Sequence, residues 1–168
     1  YNCPKRIARN VLREGTVADY TAYFNGEWMP VSEVKIDPAD RGFLVGDTVF
    51  EVLRTFNGKS FRLKEHVERL YRSLKYVRMD PGLSPEELIE LTEEGIRRNE
   101  ELREPVGDYQ IWQWVTRGVG WRTREAGPSS VCIKMEPIPF SHYAPYYDGG
   151  LHGVIVRTRS LPVETLDP

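Results

Sequence analysis

Hydrophobic positions change their period several times along the chain, and each change marks an element. Two short runs of strand composition, Tyr23-Phe24 and Glu27-Trp28, flank Asn25-Gly26. Asn-Gly supplies the positive φ angles of a type I′ turn, so a tight hairpin is predicted. Asn57-Gly58 repeats the device between Val49–Phe56, rich in β-branched and aromatic residues, and Ser60–Arg62. From Leu63 the period lengthens: Leu63, Val67, Leu70, Leu74 and Val77 recur at spacings of four, three, four and three. That is one face of an amphipathic helix packed on a sheet. A second helix is announced by Ser84-Pro85-Glu86-Glu87, where Ser84 caps, Pro85 suits the first helical position and Glu87 closes a capping box; Leu88, Leu91 and Leu102 continue it. Strand composition returns at Tyr109–Thr116 and Val131–Met135, joined by a Gly- and Arg-rich stretch, 117–128, that is long for a plain hairpin loop. Gly149-Gly150 marks a domain boundary, after which Gly153–Thr158 starts another strand. The pattern predicts an α+β (mixed α/β) fold, a small domain over 1–148 whose sheet carries two helices, followed by a segment, 149–168, that opens a second domain. The chain stops ten residues after that last strand and reads as a fragment.

Composition narrows the class. The 168 residues are 40% hydrophobic and 29% charged, with 23 Lys+Arg against 25 Asp+Glu for a net charge of -2. These are the figures of one soluble globular domain, or one and a fraction, able to bury a core without disulfides or metal. The near-neutral balance argues against nucleic acid, whose binders are typically basic with pI above about 9. No apolar run approaches the ~20 residues of a membrane span. Two cysteines, Cys3 and Cys132, make no disulfide framework, and with only His66, His142 and His152 there is no metal-ligand spacing. A reducing, cytoplasmic setting is expected. The basic stretch Lys5, Arg6, Arg9 and Arg13 lacks the hydrophobic core of a signal peptide and reads as a solvated N-terminal arm.

Candidate chemistry gathers at three places, each with a plainer alternative. His66 and Arg69, three residues apart on one face of the first helix, flank its apolar stripe. They are either a solvated flank paired with Glu65, Glu68 and Arg72, or the means of aiming Arg69 at a phosphate, which a guanidinium can fork bidentately. Trp112 and Trp114 alternate onto one face of a strand with Thr116, as core or as the wall of an apolar pocket. Arg122 and Arg124 follow in the loop, as solvated surface or as a carboxylate clamp; stacking on single-stranded bases fits the net charge less well. Gly118 and Gly120 belong to no phosphate-loop motif, and Cys132, mid-strand, reads as a small buried hydrophobe.

Four blocks, in order, resemble one family. They are Phe24-Asn25-Gly26-Glu27; Asp40-Arg41-Gly42-Phe43-Leu44-Val45-Gly46-Asp47-Thr48-Val49-Phe50-Glu51; Phe61-Arg62-Leu63-Lys64-Glu65-His66-Val67-Glu68-Arg69-Leu70; and Val115-Thr116-Arg117-Gly118. Together they are similar to the fold-type-IV pyridoxal-phosphate enzymes: branched-chain, D-amino-acid and (R)-amine transaminases and aminodeoxychorismate lyases. The resemblance covers nearly all of the chain and corresponds to the N-terminal domain plus the first strand of the C-terminal domain. It implies the cofactor pyridoxal 5′-phosphate, with Arg69 at the position of the arginine that binds its phosphate. Phe50 and Val45 match positions that line the substrate pocket, and Trp112 and Trp114 fall on the strand that supplies pocket walls. Arg122 looks like the arginine with which D-amino-acid aminotransferases hold the substrate carboxylate, and Arg124 stands where those enzymes have a histidine.

The function implied is transfer of an amino group between an amino acid or amine and a 2-oxo acid, by a homodimer. In the family the lysine that forms the Schiff base follows a run resembling Arg159–Pro168, past the end of this sequence. None of Lys5, Lys35, Lys59, Lys64, Lys75 and Lys134 sits in its place. Because no other side chain forms that imine, the 168-residue chain by itself is expected to be inactive. Two other readings share the residues: a lyase of the aminodeoxychorismate type, and a truncated, non-enzymatic binding module.

Overall fold

The computed structural model describes residues 19–105, 107–120 and 127–155. Among these residues the fold is α+β: a six-stranded sheet, antiparallel throughout, with two helices packed on one face. The strands are β1 (Thr21–Phe24), β2 (Glu27–Pro30), β3 (Thr48–Phe56), β4 (Lys59–Ser60), β5 (Tyr109–Thr116) and β6 (Ser130–Pro137), and they lie in the order β2-β1-β6-β5-β3-β4. Among the described residues four α-helices accompany them: α1 (Arg41–Val45), α2 (Leu63–Tyr76), α3 (Pro85–Asn99) and α4 (Phe140–Gly149). Both predicted hairpins form on their Asn-Gly pairs, with φ of 50° and 98° at Asn25 and Gly26 and of 51° and 74° at Asn57 and Gly58. The second is shorter than its composition suggests, since the return strand β4 holds only two residues.

Strand alternation divides the sheet into two unlike faces. On one, Leu53, Tyr109, Ile111, Val115, Val131, Ile133 and Met135 meet Leu63, Val67, Leu70 and Leu74 of α2 and Leu88 and Ile96 of α3 in a single hydrophobic core. The predicted capping box of α3 is complete: Ser84 Oγ accepts from the Glu87 amide at 3.1 Å and the Glu87 carboxylate accepts from the Ser84 amide at 2.7 Å. The buried stripe of α3 differs from expectation. It runs Leu88, Thr92, Gly95, Ile96, Asn99, and Leu102 lies exposed in a 3-10 turn, because Asn99 turns inward to bind the backbone. Its side chain accepts from the Thr21 amide at 2.8 Å and donates to the Thr21 carbonyl at 2.9 Å, which fixes β1 to α3.

Backbone contacts divide the chain into two units, Tyr1–Ile138 and Pro139–Pro168. The helix α4, absent from the sequence reading, lies in the second unit and buries none of its side chains. Of the strand expected over Gly153–Thr158, residues 153–155 have no strand pairing and the rest lies outside the described residues. The basic N-terminal arm also lies outside them.

Candidate active site

The alternation that turns Val49 and Leu53 toward the helices turns Glu51 there as well, and only 7% of its side chain is exposed. A buried carboxylate costs several kcal/mol unless it is paired, and α2 supplies the pairing. Arg69 donates from Nε to Oε1 at 2.5 Å and from Nη2 to Oε2 at 2.6 Å, and His66 Nδ1 lies 2.8 Å from Oε2. An ionised carboxylate only accepts hydrogen bonds, so His66 carries its proton on Nδ1. Burial pushes the Glu51 pKa up, but the hydrogen bonds and charges of Arg69 and His66 outweigh it and hold the carboxyl below its ordinary value. The same carboxylate raises the pKa of Arg69. Arg69 therefore pairs across to the sheet and not along its own helix with Glu65 or Glu68. Glu51 was missed from sequence, although its inward strand position between Val49 and Leu53 demands a partner. The fork occupies the Nε–Nη2 edge of Arg69. Nη1 and the outer side of Nη2 are not engaged by Glu51, on a side chain that is 58% exposed, which is the chemistry of an anion site.

Trp112 and Trp114 lie on the face opposite the core, so of their two readings the core one does not hold. Tyr109, Ile111, Gln113 and Val115 take the inward positions of β5. The two indoles stack at 5.1 Å and 17°, and the half-exposed Phe50 ring follows at 6.2 Å from Trp112, making an aromatic wall. Trp112 Nε1 donates to Glu136 at 2.8 Å, and Lys134 Nζ stands 3.1 Å from the other oxygen of Glu136 and 5.4 Å from the Trp114 ring centroid. Beside this wall a groove of about 580 Å³ runs between Trp114, Thr116 and Cys132 on the sheet and Val34, Ile36 and Phe43 above it. Phe50, Trp112 and Val45 do not line the groove; Val45 is exposed on α1. Cys132 is half-buried, and burial pushes its thiol to about 11, which keeps it protonated near neutral pH. Arg122 and Arg124 lie outside the described residues. Among the described residues no cluster of His, Cys, Asp and Glu could hold a metal ion.

Two carboxylates hold the segment that carries Val45 against the ends of the central strands. Asp40 caps α1 through the Gly42 amide at 2.7 Å and accepts from Thr116 Oγ1 at 2.8 Å and Ser130 Oγ at 3.1 Å, joining β5 to β6. Asp47 accepts from Arg41 Nε at 2.9 Å and Arg117 Nε at 2.8 Å, and Arg117 donates onward to the Val77 carbonyl at 2.9 Å at the end of α2. Burial raises the Asp47 pKa, and the two arginines more than reverse it. Neither role was read from sequence. The signal was Asp40-Arg41-Gly42 and Gly46-Asp47 on either side of three apolar residues, Phe43-Leu44-Val45, a stretch too short for periodicity to register.

Comparison with known proteins settles which family builds this arrangement. Residues 48–167 match the model of the amino-transferase class IV family. The chain belongs to that family. Among class IV relatives, it is 37% identical over 150 residues to a putative branched-chain-amino-acid aminotransferase of Methanocaldococcus jannaschii, covering 87% of this chain and 49% of the relative. It is 35% identical over 141 residues to the D-alanine aminotransferase of Staphylococcus aureus, covering 80% and 47%. A solved T.th. branched-chain amino acid aminotransferase, complexed with N-(5′-phosphopyridoxyl)-L-glutamate, superposes with a TM-score of 0.60 at 30% identity, covering 70% of this chain and 40% of that one. This class IV chain spans about half the length of the curated relatives it matches.

Proposed function

We propose that the protein bearing this chain is a pyridoxal-phosphate-dependent aminotransferase that moves an amino group between an amino acid or amine and a 2-oxo acid. The carrying observation is that the match to the class IV family includes curated relatives named for aminotransferase activity on branched-chain amino acids and on D-alanine. The cofactor is supported by the phosphopyridoxyl compound in the solved relative and by the fit of Arg69. A phosphate needs paired N–H donors on an accessible cation, and the end-on edge of Arg69 offers them.

In this reading Arg69 anchors the cofactor phosphate. When bound, the cofactor supplies an electron sink that acidifies the α C–H of the amino donor. Phe50, Trp112, Trp114 and Val45 bound the donor side chain and keep water from it, while Arg122, with Arg124 beside it, holds the donor carboxylate. The lysine that carries the cofactor comes from sequence past Pro168, and the working protein is a cytoplasmic homodimer.

The test uses the full-length protein with pyridoxal phosphate, an amino donor (D-alanine, or L-leucine for the branched-chain class) and 2-oxoglutarate. Glutamate should accumulate in step with the 2-oxo acid of the donor. Pyruvate released from aminodeoxychorismate without any acceptor, and no transfer to 2-oxoglutarate, would assign the lyase reaction instead.

A further inference from the structure

We propose that Glu51 is the positioning residue of the Arg69 phosphate anchor, holding the guanidinium by its side-on edge so that the end-on edge is presented to a phosphate. The inference rests on the reading of Arg69 as that anchor. An arginine side chain left in solvent samples many rotamers, and ordering one costs side-chain entropy. Arg69 leaves the exposed flank of α2, yet both of its bonds to Glu51 are short, 2.5 and 2.6 Å. Glu51 sits in the middle of β3, paired across to Gln113 of β5 in the sheet register, so the point that grips the guanidinium is fixed by the sheet. His66 takes the remaining direction on Oε2 and fixes the carboxylate plane. The three residues thus form a chain from rigid strand to exposed cation, with the ordering cost met before any ligand arrives.

The charge of Glu51 works against this role, since a carboxylate beside a guanidinium weakens its pull on a phosphate. Orientation outweighs that loss here for two reasons. The carboxylate is buried behind the guanidinium, 7% against 58% exposed, so a phosphate meeting the outer edge stays on the far side of the cation. The pairing also keeps Arg69 directed where a lone side chain would be solvated in many poses. Two consequences follow for recognition. The phosphate is bound through Nη1 and Nη2, not through the Nε–Nη2 fork. Any gain from Glu51 is confined to ligands that carry the phosphate.

The experiment titrates the full-length apoprotein with pyridoxal phosphate and, separately, with pyridoxal, which lacks the phosphate, following the ligand absorbance, with thermal melting of every variant in parallel. Glu51→Gln should weaken pyridoxal phosphate about tenfold, in the range by which groups orienting a binding residue act, and leave pyridoxal unchanged. His66→Ala, which strands no buried charge, should weaken pyridoxal phosphate in the same sense by a smaller factor, and serves if Glu51→Gln folds poorly. The double variant Glu51→Gln/Arg69→Ala should bind no more weakly than Arg69→Ala alone, because Glu51 acts through Arg69. Equal losses for pyridoxal and its phosphate would reduce Glu51 to a fold-stabilising residue, and tighter binding in Glu51→Gln would make it a competitor for the guanidinium; either overturns the proposal while Arg69 stands. Unchanged affinity in Arg69→Ala would overturn the reading of Arg69, and this inference with it.

Discussion

Gly118 holds φ at 77°, and a Cβ built there would meet the Pro128 carbonyl oxygen at 2.0 Å. Both the backbone conformation and the close approach of a neighbouring main chain exclude a side chain. Gly118→Ala should destabilise by roughly 2–4 kcal/mol, read as a lower urea midpoint with an unchanged m-value. Gly95 makes the contrast. Its Cβ would crowd the Met135 methyl at 2.6 Å, the far end of a flexible side chain, and meet Met135 Sδ and the Trp28 ring at an ordinary 3.5 Å, while helix propensity favours alanine there by about 0.8–1.0 kcal/mol. Arg122 gives a prediction of a different kind. On the proposed aminotransferase reading, in which Arg122 forks onto the donor carboxylate and an amine donor has none to hold, Arg122→Leu in the full-length protein should lower kcat/KM for amino-acid donors by about 10–100-fold. Single-turnover rates with an amino acid and a matched amine check it, and equal losses for both would remove the residue from carboxylate recognition.

At the level of elements, α3 depends on its first turn. The reciprocal Ser84–Glu87 bonds satisfy two amides that the helix leaves without partners. Ser84→Ala should therefore cost about 1 kcal/mol, measured by equilibrium denaturation, with the native spectrum intact. This element was legible because its signals are local: a cap, a proline and an acid within four positions. The hairpins were legible for the same reason. What escaped prediction depends on partners distant in sequence. Glu51 meets Arg69 only when β3 lies under α2, and nothing near either residue names the other. The two tryptophans could have faced either side of β5, because alternation fixes which residues share a face but not which face is covered. Only the packing of α2 and α3 on the side of Ile111 and Val115 decides that Trp112 and Trp114 stand on the open side. The aromatic wall was thus visible as a pattern, and its orientation was not.

For the sheet as a whole, three of the carboxylates that tie its parts together, Glu51, Asp47 and Asp108, have lowered pKa values. Burial raises each one, but Glu51 is held down by Arg69 and His66, Asp47 by Arg117 and Arg41, and Asp108 by Thr55 and the amides of Gly58 and Asn57. A carboxyl whose folded pKa lies below its unfolded value contributes stability that is full above the unfolded pKa, near 3.9 for Asp and 4.3 for Glu. That contribution is lost as pH falls through the lower folded value. Urea stability should thus be level from pH 7 to about 5 and decline steadily toward pH 2. Asp108→Asn should be less stable at pH 7 and lose less on acidification, and an acid dependence as steep as the parent's would show that Asp108 contributes nothing to it.

The strand order carries a consequence in time. Among the described residues the hairpin of β1 and β2 pairs with the rest of the sheet through β6, where Val131 donates to Asn25 Oδ1 at 2.7 Å and accepts from the Asn25 amide at 3.0 Å, the two residues standing 106 positions apart. At synthesis rates of about 5–20 residues per second, the nascent hairpin waits roughly 5–20 s before the strand that receives it leaves the ribosome. Through that interval the edge of β1 that β6 will cover lies bare, with its backbone donors and acceptors available to any other strand edge. Contacts so far apart in sequence also place this sheet among slowly closing topologies. The order of the strands therefore leaves β1, tied earlier at Thr21 to Asn99 of α3, among the last to complete its strand pairing.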